Sequence, residues 1–140
     1  MSTPRIILVT GAAQNIGAAI ADRFLISGDT VICADLNEPE NPEMTFIRTN
    51  VADEASVSAL MGQIEERYGH LNVLVNNAGI CVETPIHELT EYEWDRVMSV
   101  NVKSTFLTTK HARKLLTNPA LSSPAIVNIS SIEGLGANPL

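Results

Sequence analysis

The chain has no basic run: nine Lys and Arg stand against sixteen Asp and Glu, for a net charge of −7. That balance argues against nucleic acid or an anionic membrane as a partner. Phosphate contacts in such a chain come from backbone N–H groups more than from Lys or Arg. Cysteine is scarce, with only Cys33 and Cys81, and their spacing shows no pairing. A reduced, cytoplasmic protein with two small buried thiols is expected, with a disulfide as the alternative. The three histidines, His70, His87 and His111, share no metal-ligand spacing, so no metal is expected. No signal-peptide core opens the chain, and no apolar run approaches the roughly 20 residues that span a bilayer. Repeats, low-complexity runs and interdomain linkers are absent too. The 140 residues suit one domain, 1–140.

What is present is alternation. Residues 6–10 are an apolar run that reads as a buried parallel strand, and residues 16–27 form a helix closed by Gly28. A second strand covers 30–34 and ends at Asp35. A polar, proline-broken loop follows at 36–43, then a third strand at 44–51. Asp53 caps a helix whose Val57, Leu60, Met61, Ile64 and Tyr68 form one stripe. A fourth strand covers 71–75. Thr90 and Glu93 form a capping box for one long helix to about residue 116. A fifth strand covers 125–129. Strands alternating with helices predict βαβ units, hence an α/β, doubly wound parallel sheet. Ligands bind such sheets at the carboxyl ends of the strands. Thr10 with residues 11–17, Asp35, residues 51–53, 76–79 and 130–131 all follow strand ends, so they share one rim.

Three places on that rim carry chemistry. Residues 5–24 run strand, small-residue turn at Gly11, then a helix opening near Gly17. Free N–H groups and the helix dipole converge there on a phosphate-sized spot. Asp35 lies at the end of the next strand, where an acid accepts hydrogen bonds from a ribose diol and repels a 2′-phosphate. No Arg or Lys occurs at 12–16 or 36–39, so NAD is favoured over NADP. The plainer alternative for Asp35 is a solvated strand-end acid. Asn76-Asn77-Ala78-Gly79 either forms a structural turn or lets the backbone approach a flat ligand as a cofactor wall. Asn101 continues the stripe of Trp94, Val97 and Met98. It is either a satisfied core amide or a polar anchor facing the site.

Together these residues resemble the short-chain dehydrogenase/reductase family. Residues 8–17, Leu-Val-Thr-Gly-Ala-Ala-Gln-Asn-Ile-Gly, are similar to its T-G-x-x-x-G-x-G motif, and residues 76–79 match its N-N-A-G motif. Asn101 sits where the family keeps a catalytic Asn, and residues 126–131 resemble its fifth strand with the active-site Ser at Ser131. The resemblance covers the whole chain. It implies a Rossmann-type sheet of about five strands in order 3-2-1-4-5, incomplete beside the family's seven. It also implies a bound NAD, held by Thr10, Gly11, Ala13, Gln14, Asn15, Ile16, Gly17, Asp35, Asn50, Val51, Asn77, Ala78 and Gly79. Hydride transfer between the nicotinamide and a small alcohol or ketone is the implied reaction. Ser131 would polarise the carbonyl, and Asn101 would organise a proton relay. The family is usually homo-oligomeric.

Three departures stand out. Asn15 replaces the motif's Gly and brings a side chain beside the pyrophosphate. Asn50 stands where members often carry an adenine-contacting Asp. The family's Y-x-x-x-K motif, expected roughly a dozen residues after the Ser, does not occur in residues 1–140. The chain is therefore expected to be inactive alone. It would be a truncated portion, a non-catalytic dinucleotide-binding or interaction fragment, or one half of a split enzyme completed by another chain. Without further segments, the fifth strand becomes an exposed edge, and Phe106 and Leu107 are left uncovered. The substrate is not legible, although Val82 and Ile86 hint at an apolar wall.

Overall fold

The computed structural model describes residues 3–136. The last residues of the Gly-rich stretch after Glu133 lie outside the described part. Five strands form one parallel sheet: β1 (Ile6–Thr10), β2 (Thr30–Asp35), β3 (Thr45–Arg48), β4 (Val73–Asn76) and β5 (Ala125–Asn128). Their order is β3-β2-β1-β4-β5, so the chain winds outward from β1 in both directions. This is the 3-2-1-4-5 order that the motif resemblance implies. It puts the ends of β1, β2, β3 and β4 on one rim, with the two halves of the sheet diverging at β1.

The strand alternation builds two cores. Leu8, Ile32 and Leu74 face α2 (Glu54–Tyr68) and the helix before β5. There they meet Val57, Leu60, Ile64, Leu107 and Leu115. Ile7, Val9, Val31, Cys33, Val73 and Val75 face α1 (Asn15–Ile26), where Ala21, Ile20 and Phe24 close over them. Helices on both faces explain why β1 is apolar at consecutive positions and wholly buried. Asp53 caps α2 by accepting from Ser56 N–H at 2.8 Å, and Gly69 ends it at φ 71°. A side chain is strained in that left-handed geometry, and Gly is not.

Several boundaries differ from the expectation. β3 is shorter than 44–51: Thr49 N–H makes the last rung to β2, at the Asp35 carbonyl at 2.9 Å, and then Asn50 N–H goes to Ser56 Oγ and the chain leaves the sheet. The expected single helix to residue 116 is two helices, α3 (Glu91–Met98) and α4 (Ser104–Leu116). A π-helical turn joins them at Ser99–Lys103. The Thr90–Glu93 capping box is present. Cys33 is buried, but Cys81 is exposed on the loop after β4, which corrects the reading of two buried thiols. Phe106 is exposed, whereas Leu107 is buried under the sheet. Of the two residues expected at an apolar wall, Ile86 is exposed, and neither it nor Val82 lines the rim cleft.

β5 is exposed along its length and is fixed to β4 by more than its ladder. Asn76 Nδ2 donates to Asn128 Oδ1 at 2.9 Å, and the buried hydroxyl of Thr108 in α4 donates to Asn76 Oδ1 at 2.7 Å. No helix among the described residues is long and apolar enough to cross a membrane.

Candidate functional site

The rim of the sheet opens into a cleft of about 620 Å³. Its floor is the turn after β1. Gly11 adopts φ 66° and donates its N–H to the Ala34 carbonyl at 2.8 Å. Gly17, in the first turn of α1, lies against that turn so closely that a Cβ there would overlap the Gly11 carbonyl and come within 2.5 Å of Asn77 Nδ2. A Cβ on Gly11 would stand 2.8 Å from Ala78 Cα. Both glycines therefore do steric work: they bring the start of α1, the β1 turn and the residues after β4 together. The result is a cradle of free helix-terminal N–H groups open to an anion.

Thr10 and Asn77 lock this cradle from below. Thr10 is buried, and its Oγ1 accepts from Asn77 N–H and Ala78 N–H, each at 3.1 Å. Asn77 Nδ2 returns to the carbonyls of Thr10 at 3.1 Å and Gly11 at 3.0 Å. Asn77 thus joins the end of β4 to the end of β1. Asn15 takes the left-handed conformation at φ 52°, which Asn tolerates better than most side chains. The turn geometry survives the replacement of Gly there.

Asp35 closes one side. Its Oδ2 accepts from Ala13 N–H at 3.1 Å and its Oδ1 from Asn37 N–H at 3.0 Å. The carboxylate is aimed by backbone and keeps further lone pairs for a ligand. Below it, Cys33 is held as a thiol. Burial, helped by the Asp35 charge, pushes its pKa up to about 12. Asn50 folds its Oδ1 back onto Ala52 N–H at 3.1 Å and shapes the loop after β3.

Most of the residues singled out in the sequence meet in this cleft. Gly11, Gln14, Asn15, Ile16, Gly17, Asp35, Asn50, Val51, Asn77, Ala78 and Gly79 all line it. Thr10 lies beneath the lining, and Ala13 faces a neighbouring depression while donating to Asp35. Two candidates lie elsewhere. Asn101 is not on a buried stripe, since Trp94 and Met98 are exposed and Asn101 is exposed with them. Its amide is spent on the Ile80 backbone, accepting from N–H at 2.8 Å and donating to O at 2.9 Å. Ser131 is exposed and caps a short 3-10 turn, its Oγ accepting from Glu133 N–H at 3.2 Å. It does not line the cleft.

The sequence reading missed one wall. Tyr92, Arg96, Ser99 and Val100 line the cleft from α3 and the π turn. Tyr92, Arg96 and Ser99 fall at i, i+4 and i+7, a polar stripe that the apolar Trp94–Met98 pattern obscured. Arg96 is the cation of the lining and Asp35 its carboxylate.

A glycine-cradled anion spot beside a strand-end acid, on a doubly wound parallel sheet, defines a Rossmann-type nucleotide cleft. Comparison with known proteins agrees and is more specific. The family described as short chain dehydrogenase matches residues 5–140, so the chain belongs to that family. It is 39% identical to cis-4-hydroxycyclohexanecarboxylate dehydrogenase of Sinomonas cyclohexanicum, covering 93% of this chain and 56% of that protein. It is 33% identical to the NADP-dependent (R)-specific alcohol dehydrogenase of Lentilactobacillus kefiri, over 96% of this chain and 57% of that one. A short chain dehydrogenase of Leptospira borgpetersenii solved with bound NAD+ superposes with a TM-score of 0.89 at 25% identity, over 98% of this chain and 55% of the other. The chain thus spans about half the length of the curated relatives it matches.

Proposed function

We propose that this chain is the cofactor-binding portion of a cytoplasmic, NAD-dependent oxidoreductase that interconverts a small alcohol and ketone. We further propose that residues 1–140 alone bind the dinucleotide without turning it over. One observation carries the binding half: Asp35 is aimed by two backbone N–H groups at the side of a glycine-built anion cradle. The residues present fit the group. The cradle between Gly11 and Gly17 suits a pyrophosphate, and a carboxylate suits a ribose diol while repelling a 2′-phosphate. No Lys or Arg stands at 12–16 or 36–39, and the lining's Arg96 comes from α3, far along the chain from Asp35. A relative that uses NADP does not decide the matter, because the discriminating charge is local.

When bound, the nicotinamide supplies the hydride acceptor or donor. The chain's own residues bind and orient. Gly11 and Gly17 leave room for the phosphates. Asn77 and Ala78, braced by Thr10, wall the cleft. Asp35 selects the diol. Ser131 is proposed to polarise a substrate carbonyl and Asn101 to contribute to a proton relay, in an assembly that also holds a general acid. Neither Tyr68 nor Tyr92 is followed by Lys four residues on, so the family's Y-x-x-x-K acid–base pair has no counterpart in these residues. Losing a general acid/base typically costs about 10²–10⁴-fold in rate.

Calorimetric titration of the purified chain with NADH and NADPH tests this. Micromolar NADH binding, with NADPH at least about tenfold weaker, is expected from a repelled 2′-phosphate, and Asp35→Ser should erase the preference. A folded chain that binds neither cofactor refutes the binding reading. Equal affinities refute the NAD assignment. Alcohol-dependent NADH production by the chain alone refutes the non-catalytic part.

A further inference from the structure

The π turn between α3 and α4 sends two side chains to two different loops. Asn101 grips Ile80 on the loop after β4. Lys103, two residues on, reaches the loop after β3, where its Nζ donates to the Ala52 carbonyl at 3.1 Å. Ile80 and Ala52 both line the cleft, as do Ser99 and Val100 of the π turn itself. One irregular turn therefore holds both of its neighbouring loops. The Ala52 loop is otherwise tied inward. Ala52 N–H goes to Asn50 Oδ1, Asp53 N–H to the Asn50 carbonyl at 3.1 Å, and Asn50 N–H to Ser56 Oγ at 2.9 Å. Lys103 ties it to the π turn, and just beyond it Glu54, at the start of α2, pairs with Lys110 and His111 of α4.

The geometry identifies which end of the cleft this tie governs. Thr49 N–H is bonded to the Asp35 carbonyl, so the Ala52 loop stands beside the acid proposed to take a ribose diol. The base attached to that ribose would lie between residues 50–52 and the wall of Arg96, Ser99 and Val100. We propose that Lys103 is a positioning residue: through Ala52 it sets the spacing of these two walls and so the grip on the adenine end of the dinucleotide. The inference rests on the dinucleotide reading above. Lys suits the task. Its long apolar stem spans the gap, and its ammonium makes a charge-assisted bond to a carbonyl while remaining partly hydrated. Lys103 is exposed and outside the packed core, so its replacement leaves the two clusters of buried side chains intact.

The experiment is calorimetric titration of the 140-residue chain, as wild type, Lys103→Met and Lys103→Arg. NADH and 5′-AMP are the two ligands, and ligand-free thermal unfolding is recorded alongside. Lys103→Met should weaken both ligands by the same factor, about three- to tenfold for one charge-assisted bond. Lys103→Arg, which keeps a cationic donor, should restore most of that loss. The deficit should persist at about 0.5 M salt, where the Debye length falls to a few ångströms and a mere long-range charge effect vanishes. Unchanged NADH affinity in Lys103→Met overturns the inference. So does a loss confined to NADH and absent for AMP, a loss that disappears at high salt, or a loss that follows a fall in unfolding temperature without rescue by Arg. Failure of the wild type to bind NADH fells the dinucleotide reading itself, a result distinct from all of these.

Discussion

Gly17→Ala is the sharpest single test of how the cleft is built. The new methyl would overlap the Gly11 carbonyl and sit 2.5 Å from Asn77 Nδ2. Both obstacles are anchored, since Gly11 is bonded to Ala34 and Asn77 is held by two carbonyls. Relief requires the start of α1 to move away from the β1 turn, or the Gly11 carbonyl and Asn77 Nδ2 to give way, which strains the two Asn77 bonds. Overpacking of this kind costs about 1–3 kcal/mol. Two strained or lost hydrogen bonds add about 1 kcal/mol each. A total of about 3–5 kcal/mol corresponds to a fall in Tm of roughly 10–20 °C for a chain of this size. Gly62→Ala is the matched control: it lies in α2 with open space where the methyl would go. It should gain about 0.5–1 kcal/mol from reduced chain entropy and better helix propensity. Thermal unfolding followed by circular dichroism reads both, and NADH titration reads the cradle. Gly17→Ala with wild-type Tm and wild-type NADH affinity would refute the steric account of the cradle.

Three further outcomes are expected. Thr10→Val keeps the shape but removes the acceptor shared by Asn77 and Ala78 N–H, so urea unfolding should show a loss of about 2–4 kcal/mol, with Thr10→Ser near wild type. The Asp29 carboxyl is held below its ordinary range by hydrogen bonding to Arg5. That contribution is present above the unfolded carboxylate pKa of about 4 and is lost as pH falls through the lower folded value. The stability gap between wild type and Asp29→Asn should therefore shrink between neutral and strongly acidic pH, and a gap constant with pH would contradict it. Iodoacetamide at about pH 8 should label Cys81 alone in the folded chain, because Cys33 is buried and its thiol is pushed up to about 12; mass spectrometry should find the second label only after unfolding.

The strands, the helices and a parallel sheet were legible because local signals reinforced each other: apolar strands, capped helices and turn residues alternate without conflict, while the strand order came from the motif resemblance. Asp53 and the Thr90–Glu93 box were readable as caps because their chemistry is local. What escaped was set by distant partners. The break at Ser99–Lys103 accompanies Asn101 bonding to Ile80, twenty-one residues away, which no periodicity encodes. β3 ends at Arg48, and Asn50 N–H, the next donor along, is taken by Ser56 and not by β2. Arg96 and Tyr92 were overlooked because charged residues on a helix usually face water, and only the fold shows that this face borders a cleft. The cofactor-side candidates gather at the cleft because each follows a strand end. Ser131 and Asn101 lie outside its lining, and neither strand ends nor spacing could indicate that.

The amide pair between Asn76 and Asn128 has a consequence for how β5 finds its place. Ala125, Ile126 and Val127 are interchangeable greasy side chains on a strand with little packed over it. A slide by one residue turns such a strand over, and hydrophobic contacts this sparse would scarcely resist. The amides resist. In the observed alignment Asn76 faces Asn128 directly, and Thr108 satisfies its other end. Any slide would strand a buried amide at a cost of about 1–3 kcal/mol. Adhesion at this strand comes from apolar surface, and its address is written in two asparagines and a threonine.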